Sequence, residues 1–181
     1  PNDDVNKSQS TNDTFPAAIQ ISVVTEIINR LVPSIRELTK ILDLKSWEWK
    51  DLIKIGRTHF QDAVPITLGQ EVSAWSKQIK DAEDSLVMSL DALYFLPLGG
   101  TAVGTGINCP KDFPEESTKL ISNDTNLLFY KSKNPFSAMA SHDRLAQVMS
   151  QIKLLAGALF KISNDIKILS SGPRSGIYEL I

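Results

Sequence analysis

Across residues 14–44, apolar side chains fall at Ala17, Ile21, Val24, Ile28, Leu31, Ile35, Leu38 and Leu42. Steps of three and four put them on one face of a helix, because about 3.6 residues complete a turn. The spacing predicts one long helix. Asn12 or Asp13 is available as its N-cap, and Pro16 falls in the first turn, where a missing N–H costs little. Pro33 is expected to kink it midway. A second face, carried by Val72, Trp75, Ile79, Ala82, Leu86, Leu90 and Leu93, predicts a helix over residues 68–96 that Pro97 ends. The third pattern has no proline inside it: Leu145, Val148, Ile152, Leu155, Leu159, Ile162, Ile166 and Leu169, with Gly172 and Pro173 as its stop signal.

A shorter helix is expected over residues 113–122, and strand-like alternation is weak, confined to residues 53–55 and 127–130. The expected fold class is all-α, a bundle of long helices in which positions seven residues apart interdigitate between nearly parallel or antiparallel rods. About 30 residues at roughly 1.5 Å each make a rod near 45 Å long. Three such rods rarely complete a core, so association with further copies is expected.

Composition narrows the classes. Hydrophobic residues make up 42% of the 181, enough to bury a core, and the chain reads as one helical domain. Nineteen Lys and Arg against 21 Asp and Glu leave a net charge of −2, so neither nucleic acid nor an acidic membrane surface is an expected partner. Cys109 stands alone and has no internal disulfide partner. With no uninterrupted apolar run of about 18 residues and no signal-peptide pattern, the expected location is cytoplasmic or organellar. A chain that opens on Pro1 and stops on GIYELI is expected to be an excerpt of a longer one.

Four polar or glycine-rich segments interrupt the rods: SQSTND (8–13), GRTHFQDAVP (56–65), GGTAVGTG (99–106) and SSGPRSG (170–176). Each falls at a helix end, where backbone groups lack intrahelical partners. SQSTND reads either as an ordinary helix cap or as a carboxylate cradle of hydroxyls, an amide and free N–H groups. GGTAVGTG lacks the lysine of a phosphate-binding Walker loop and the glycine spacing of a dinucleotide fingerprint, so no nucleotide cofactor is expected. Its glycines permit a sharp reversal and a close backbone approach. No Cys or second His stands at ligand spacing from His59 or His142, so no metal site is expected. His59 is either a loop histidine bonded to a neighbour or a proton carrier, since imidazole titrates near neutrality; His142, beside Asp143, reads as structural.

Taken in order, PNDDVNKSQSTND, IKIGRTHFQDAVPITLGQE, LGGTAVGTGIN and KISNDIKILSSGPRSG resemble the class II fumarase and aspartase branch of the fumarase superfamily over essentially all 181 residues. Gly100 and the run Ser141-His142-Asp143 resemble the fumarase pattern, whereas Thr11 stands where aspartases usually carry threonine and Asp4 where a histidine often follows PND. The resemblance implies the central helical domain of a homotetramer, with active sites shared between subunits and a small dicarboxylate substrate. The implied reaction is reversible hydration of fumarate to L-malate, in the cytoplasm, or in mitochondria if the source is eukaryotic. Aspartate ammonia-lyase activity is the alternative enzyme, and a helical oligomerisation module without chemistry is the alternative class.

By the same resemblance, Ser10, Thr11 and Asn12 bind one substrate carboxylate, Thr58 binds substrate, and His59 is the proton donor or relay. Asn2 and Asp3 map onto a secondary dicarboxylate site, and Gln61 and Asp62 are expected to brace the loop. The family's N-terminal domain and its distal Gly-Ser-Ser loop with Lys-x-Asn have no counterpart here, so these residues alone are expected to be inactive.

Overall fold

The computed structural model describes residues 2–181, with Asn2 described in its backbone only. Among the described residues, seven α-helices account for most of the length: α1 (Asn2–Val5), α2 (Thr11–Glu26), α3 (Val32–Glu48), α4 (Leu68–Ser89), α5 (Phe113–Thr125), α6 (Pro135–Ala140) and α7 (Asp143–Leu169). Four short strands make two two-stranded sheets. β1 (Ile53–Thr58) pairs antiparallel with β2 (Gln61–Thr67), and β3 (Phe95–Leu96) pairs parallel with β4 (Tyr130–Lys131). The architecture is all-α; β1 and β4 overlap the faint alternation at 53–55 and 127–130, whereas β2 and β3 fall where no strand is expected. Two compact units divide it: Pro1–Leu31 with Val87–Ser150, and Val32–Leu86 with Gln151–Ile181.

The first long helix departs from expectation at its middle. A π-helical turn, Ile27–Leu31, separates α2 from α3 just before Pro33. Proline lacks an N–H and its ring collides with the carbonyl four residues earlier. Widening one turn accommodates that ring without breaking the helix. The second helix also ends sooner than its apolar spacing suggests, because Leu90–Tyr94 tightens to a 3-10 turn before β3.

In the first unit the core is built on the buried face of α2, Asp13, Pro16, Ala17, Gln20 and Val24, with Leu90, Leu93, Leu96 and Phe129. In the second, α3, α4 and α7 form a three-helix bundle. Trp75, Ile79 and Leu86 of α4 are buried, as are Leu155, Ile162 and Leu169 of α7. Polar side chains tie the rods laterally: Ser76 donates to Asp43 at 2.6 Å, Arg36 to Glu83 at 2.6 Å, and the Trp75 indole to Asp165 at 3.0 Å.

Thr11–Glu48 and Asp143–Leu169 are long and apolar enough, by composition alone, to cross a membrane. They pass on average hydropathy, while neither contains the uninterrupted apolar run of about 18 residues that the sequence is expected to lack. Burial of α7 is nonetheless one-sided. Val148, Leu155, Ile162 and Leu169 are buried at seven-residue steps, while Lys153, Lys161 and Lys167 are exposed. That is the stripe of a bundled helix.

Candidate active site

SQSTND folds as a helix start. Ser10, in extended backbone, is the N-cap of α2: its hydroxyl accepts from the Asn12 amide at 3.2 Å, and the Asp13 carboxylate accepts from the Ser10 amide at 2.9 Å, a capping box. The N-cap is therefore Ser10, and neither Asn12 nor Asp13 holds that position. Asn12 turns its side-chain amide outward and donates to the Ala102 carbonyl at 2.9 Å. Asp13 is fully buried, and its second oxygen accepts from the backbone amides of Gly99 at 3.1 Å and Thr101 at 2.9 Å.

This explains GGTAVGTG. Gly99, with φ of +85°, and Thr101, with φ of +57°, turn their amides toward one point, making an anion nest. The anion held there is the Asp13 carboxylate of the same chain. Nothing in the spacing of either segment announces the joint, because one partner is backbone.

Thr11 and Asn12 are exposed at the start of α2 and line a cavity of about 420 Å3 with Phe15, Val103, Met139 and His142. His142, read from sequence as structural, therefore stands on the wall of the same cavity as two candidate substrate ligands. Asp3 is exposed on α1, and the Asn2 side chain lies outside the described residues.

GRTHFQDAVP is a β-hairpin. Thr58 pairs with Gln61, which leaves His59 and Phe60 as a two-residue turn. Both have positive φ, +52° and +62°, the pattern of a type I′ turn, which normally takes Asn-Gly. A side chain costs about 1 kcal/mol or more in that conformation. Holding two there stores strain at the tip, and such outliers cluster where geometry matters. Further down, Ala63 and Val64 together oppose Gly56, a β-bulge of the kind that re-aims side chains beside functional sites.

Thr58 and His59 are exposed at this tip, and Phe60 is 73% exposed. The first strand of the hairpin is braced by charge at both ends. Arg57 donates to Glu179 at 2.8 Å and stands 3.7 Å from Asp62; Lys54 ion-pairs with both Glu71 and Glu179. Burial pushes the Glu179 carboxyl up, but the bonds from Lys54 and Arg57 outweigh it and hold it below the usual glutamate value. His59 opens on a cavity of about 300 Å3 that Lys54, Arg57, Lys161 and Asp165 also line. Among the described residues, no cluster of three or more His, Cys, Asp or Glu is arranged to hold a metal ion.

The candidate residues thus form two local groups. Ser10, Thr11 and Asn12 stand together at one helix N-terminus, with donors suited to a carboxylate. Thr58 and His59 stand together on a strained turn, with a hydroxyl and a group able to carry a proton.

A family model described as Lyase matches residues 1–181. The chain is 84% identical over all of its 181 residues to a fumarate hydratase class II of Prochlorococcus marinus subsp. pastoris, and 47% identical to fumarate hydratase 1, mitochondrial, of Arabidopsis thaliana. It spans 39% and 37% of those proteins' lengths. The class II fumarase of Schistosoma mansoni superposes with a TM-score of 0.94 at 41% identity, over 97% of this chain and 40% of that one. The fumarate lyase:delta crystallin of Brucella melitensis bound to cobalt does so with a TM-score of 0.92 at 36% identity, over 98% of this chain and 38% of that one. These solved relatives share the helical architecture found here. The chain belongs to the lyase family, and within it its sequence stands with the class II fumarate hydratases.

Proposed function

We propose that the full-length protein carrying these residues interconverts fumarate and L-malate, and that residues 1–181 are its central helical domain. The observation that carries this reading is the 84% identity to a fumarate hydratase class II across the whole chain, polar segments included. The strained tip bearing His59 supports it independently.

Hydration adds hydroxide to one carbon of the double bond and a proton to the other. In reverse, a weakly acidic proton leaves the carbon beside a carboxylate, and negative charge accumulates on that carboxylate. Donors fixed around it lower the barrier, each by about 3 kcal/mol. Ser10, Thr11 and Asn12 supply such donors at the N-terminus of α2, whose dipole favours an anion. Thr58 binds substrate. His59 hands a proton to the departing hydroxyl, so that water leaves, and takes one from water in the forward direction. Asn2 and Asp3 belong to a secondary dicarboxylate site.

Assembly completes the site. On α7, Met149, Leu154 and Phe160 are each more than 60% exposed, and on α3 Trp47 is 68% exposed, apolar surface of the kind that further helices cover. A homotetramer with a shared multi-helix core and active sites drawn from several subunits accounts for that surface and for the exposure of His59. The cytoplasm suits such an enzyme.

The test is to offer the full-length protein fumarate, L-malate and L-aspartate separately and follow the fumarate absorbance. Turnover of fumarate and L-malate with none of L-aspartate is expected. Ammonia release from L-aspartate, with L-malate untouched, overturns the reading in favour of an ammonia-lyase.

A further inference from the structure

Glu179 lies 122 positions beyond Arg57, yet its carboxylate reaches the hairpin one rung below the turn that carries His59. Its own backbone is fixed first. The amides of Glu179 and Leu180 donate to the Leu169 carbonyl at 2.8 and 3.1 Å, and the Tyr178 amide donates to the Ser171 carbonyl at 2.7 Å. These bonds fold the segment after α7 back onto the helix's C-terminal end. A carboxylate on a backbone anchored in this way is a rigid fixture, not a mobile surface charge.

From that fixture one oxygen accepts from Arg57 and the other ion-pairs with Lys54, which also meets Glu71 of α4 at 2.5 Å. Glu179 and Arg57 are four-fifths or so buried, and Lys54 is 90% buried, so screening by solvent is limited. Arg57 lies in β1 two residues before His59, the first residue of the turn. Two strained residues form the tip, and the bulge opposite Gly56 weakens the ladder below it. Main-chain pairing alone therefore gives the tip a poor hold.

We propose that Glu179 is a positioning residue for His59: anchored on the end of α7, it clamps Lys54 and Arg57 and so fixes the direction in which the hairpin presents its imidazole, without touching substrate. The proposal rests on His59 being the proton carrier of the hydratase reading. It goes beyond that reading by assigning a role to a residue outside the four polar segments.

The test uses the full-length protein with Glu179→Ala and Glu179→Gln. If Glu179 orients His59 while the dicarboxylate is gripped elsewhere, kcat for fumarate hydration falls between about 10- and 100-fold in the alanine variant and less in glutamine, with KM within about twofold of wild type. Glutamine keeps the size and an acceptor for Arg57, so it serves as the milder variant should alanine fail to fold. A KM that rises while kcat holds overturns the proposal, because Glu179 then acts on substrate binding; wild-type kcat in both variants overturns it too. Hydrogen exchange separates this from the hydratase reading itself. Should the wild-type protein not hydrate fumarate, faster exchange confined to residues 53–67 in Glu179→Ala still supports the clamp, and unchanged exchange there sinks it.

Discussion

The carboxylate of Asp13 accepts a hydrogen bond from the Thr101 amide at 2.9 Å, joining two polar segments 88 positions apart. It also accepts from Ser10 and Gly99, and it is completely buried. Replacing Asp13 with alanine strands three backbone donors, and the expected loss is about 3 kcal/mol of unfolding free energy. Asparagine is expected to destabilise as well, since one of its two positions presents N–H to N–H. Urea unfolding of the two variants checks both; wild-type stability in Asp13→Ala disproves the joint.

The turn at His59 and Phe60 predicts a trade between stability and activity. Changing both residues, His59→Asn with Phe60→Gly, installs the sequence that a type I′ turn prefers and relieves about 1 kcal/mol or more of strain. Thermal melting of the double variant should shift upward while hydration of fumarate is lost. His59→Asn alone should lower kcat by roughly 10²- to 10⁴-fold without lowering the melting temperature. Retained turnover in the single variant removes His59 from the mechanism.

Gly100 tests the cavity beside Thr11 and Asn12. A Cβ there would stand 2.5 Å from the Met139 sulfur and 3.1 Å from the Pro97 carbonyl. Met139 lines that cavity and is flexible, so Gly100→Ala is expected to fold, at a cost near 1 kcal/mol, with the methionine displaced into the space. If this cavity holds the substrate, as proposed, KM for fumarate should rise severalfold with kcat less affected. An unchanged KM would show that the cavity is not part of the site.

Acid should unlock two specific contacts. Lys80 and then Ser76, by hydrogen bonding, hold Asp43 below the ordinary value of 3.8, and Glu179 lies below 4.5 because its bonds from Lys54 and Arg57 outweigh burial. A folded-state pKa below the unfolded one stabilises the fold fully above the unfolded value and loses that contribution as pH falls through the folded value. Melting temperature should therefore decline from about pH 5 downward. In Glu179→Gln that decline should be shallower; an identical slope would show that the clamp does not contribute.

The three long helices were legible because burial follows steps of three and four, as Leu68, Val72, Trp75, Ile79, Leu86 and Leu90 do. The hairpin was not. Pro65 and the charged residues of GRTHFQDAVP erase the alternation that marks a strand, and His-Phe is not a turn-forming pair. Its conformation is imposed by pairing and by the Lys54, Arg57 and Glu179 contacts, which a local window cannot contain. Likewise the apolar spacing through Ile28 and Leu31 concealed the π turn, since one residue of slippage leaves both still apolar. Ser10 and Asn12 stood out as polar residues at a helix start, but their division of labour, one capping and one reaching Ala102, came only from the fold.

The bonds that Asp13 receives come from peptide groups, which every residue but proline possesses. Substitution at 99 or 101 that preserved the loop's path would leave the joint intact, so comparison of related chains will find no compensating changes between these positions and residue 13. Methods that infer proximity from correlated substitution are blind to it, and chimaeras that exchange only one of the two segments risk breaking a connection no alignment reveals.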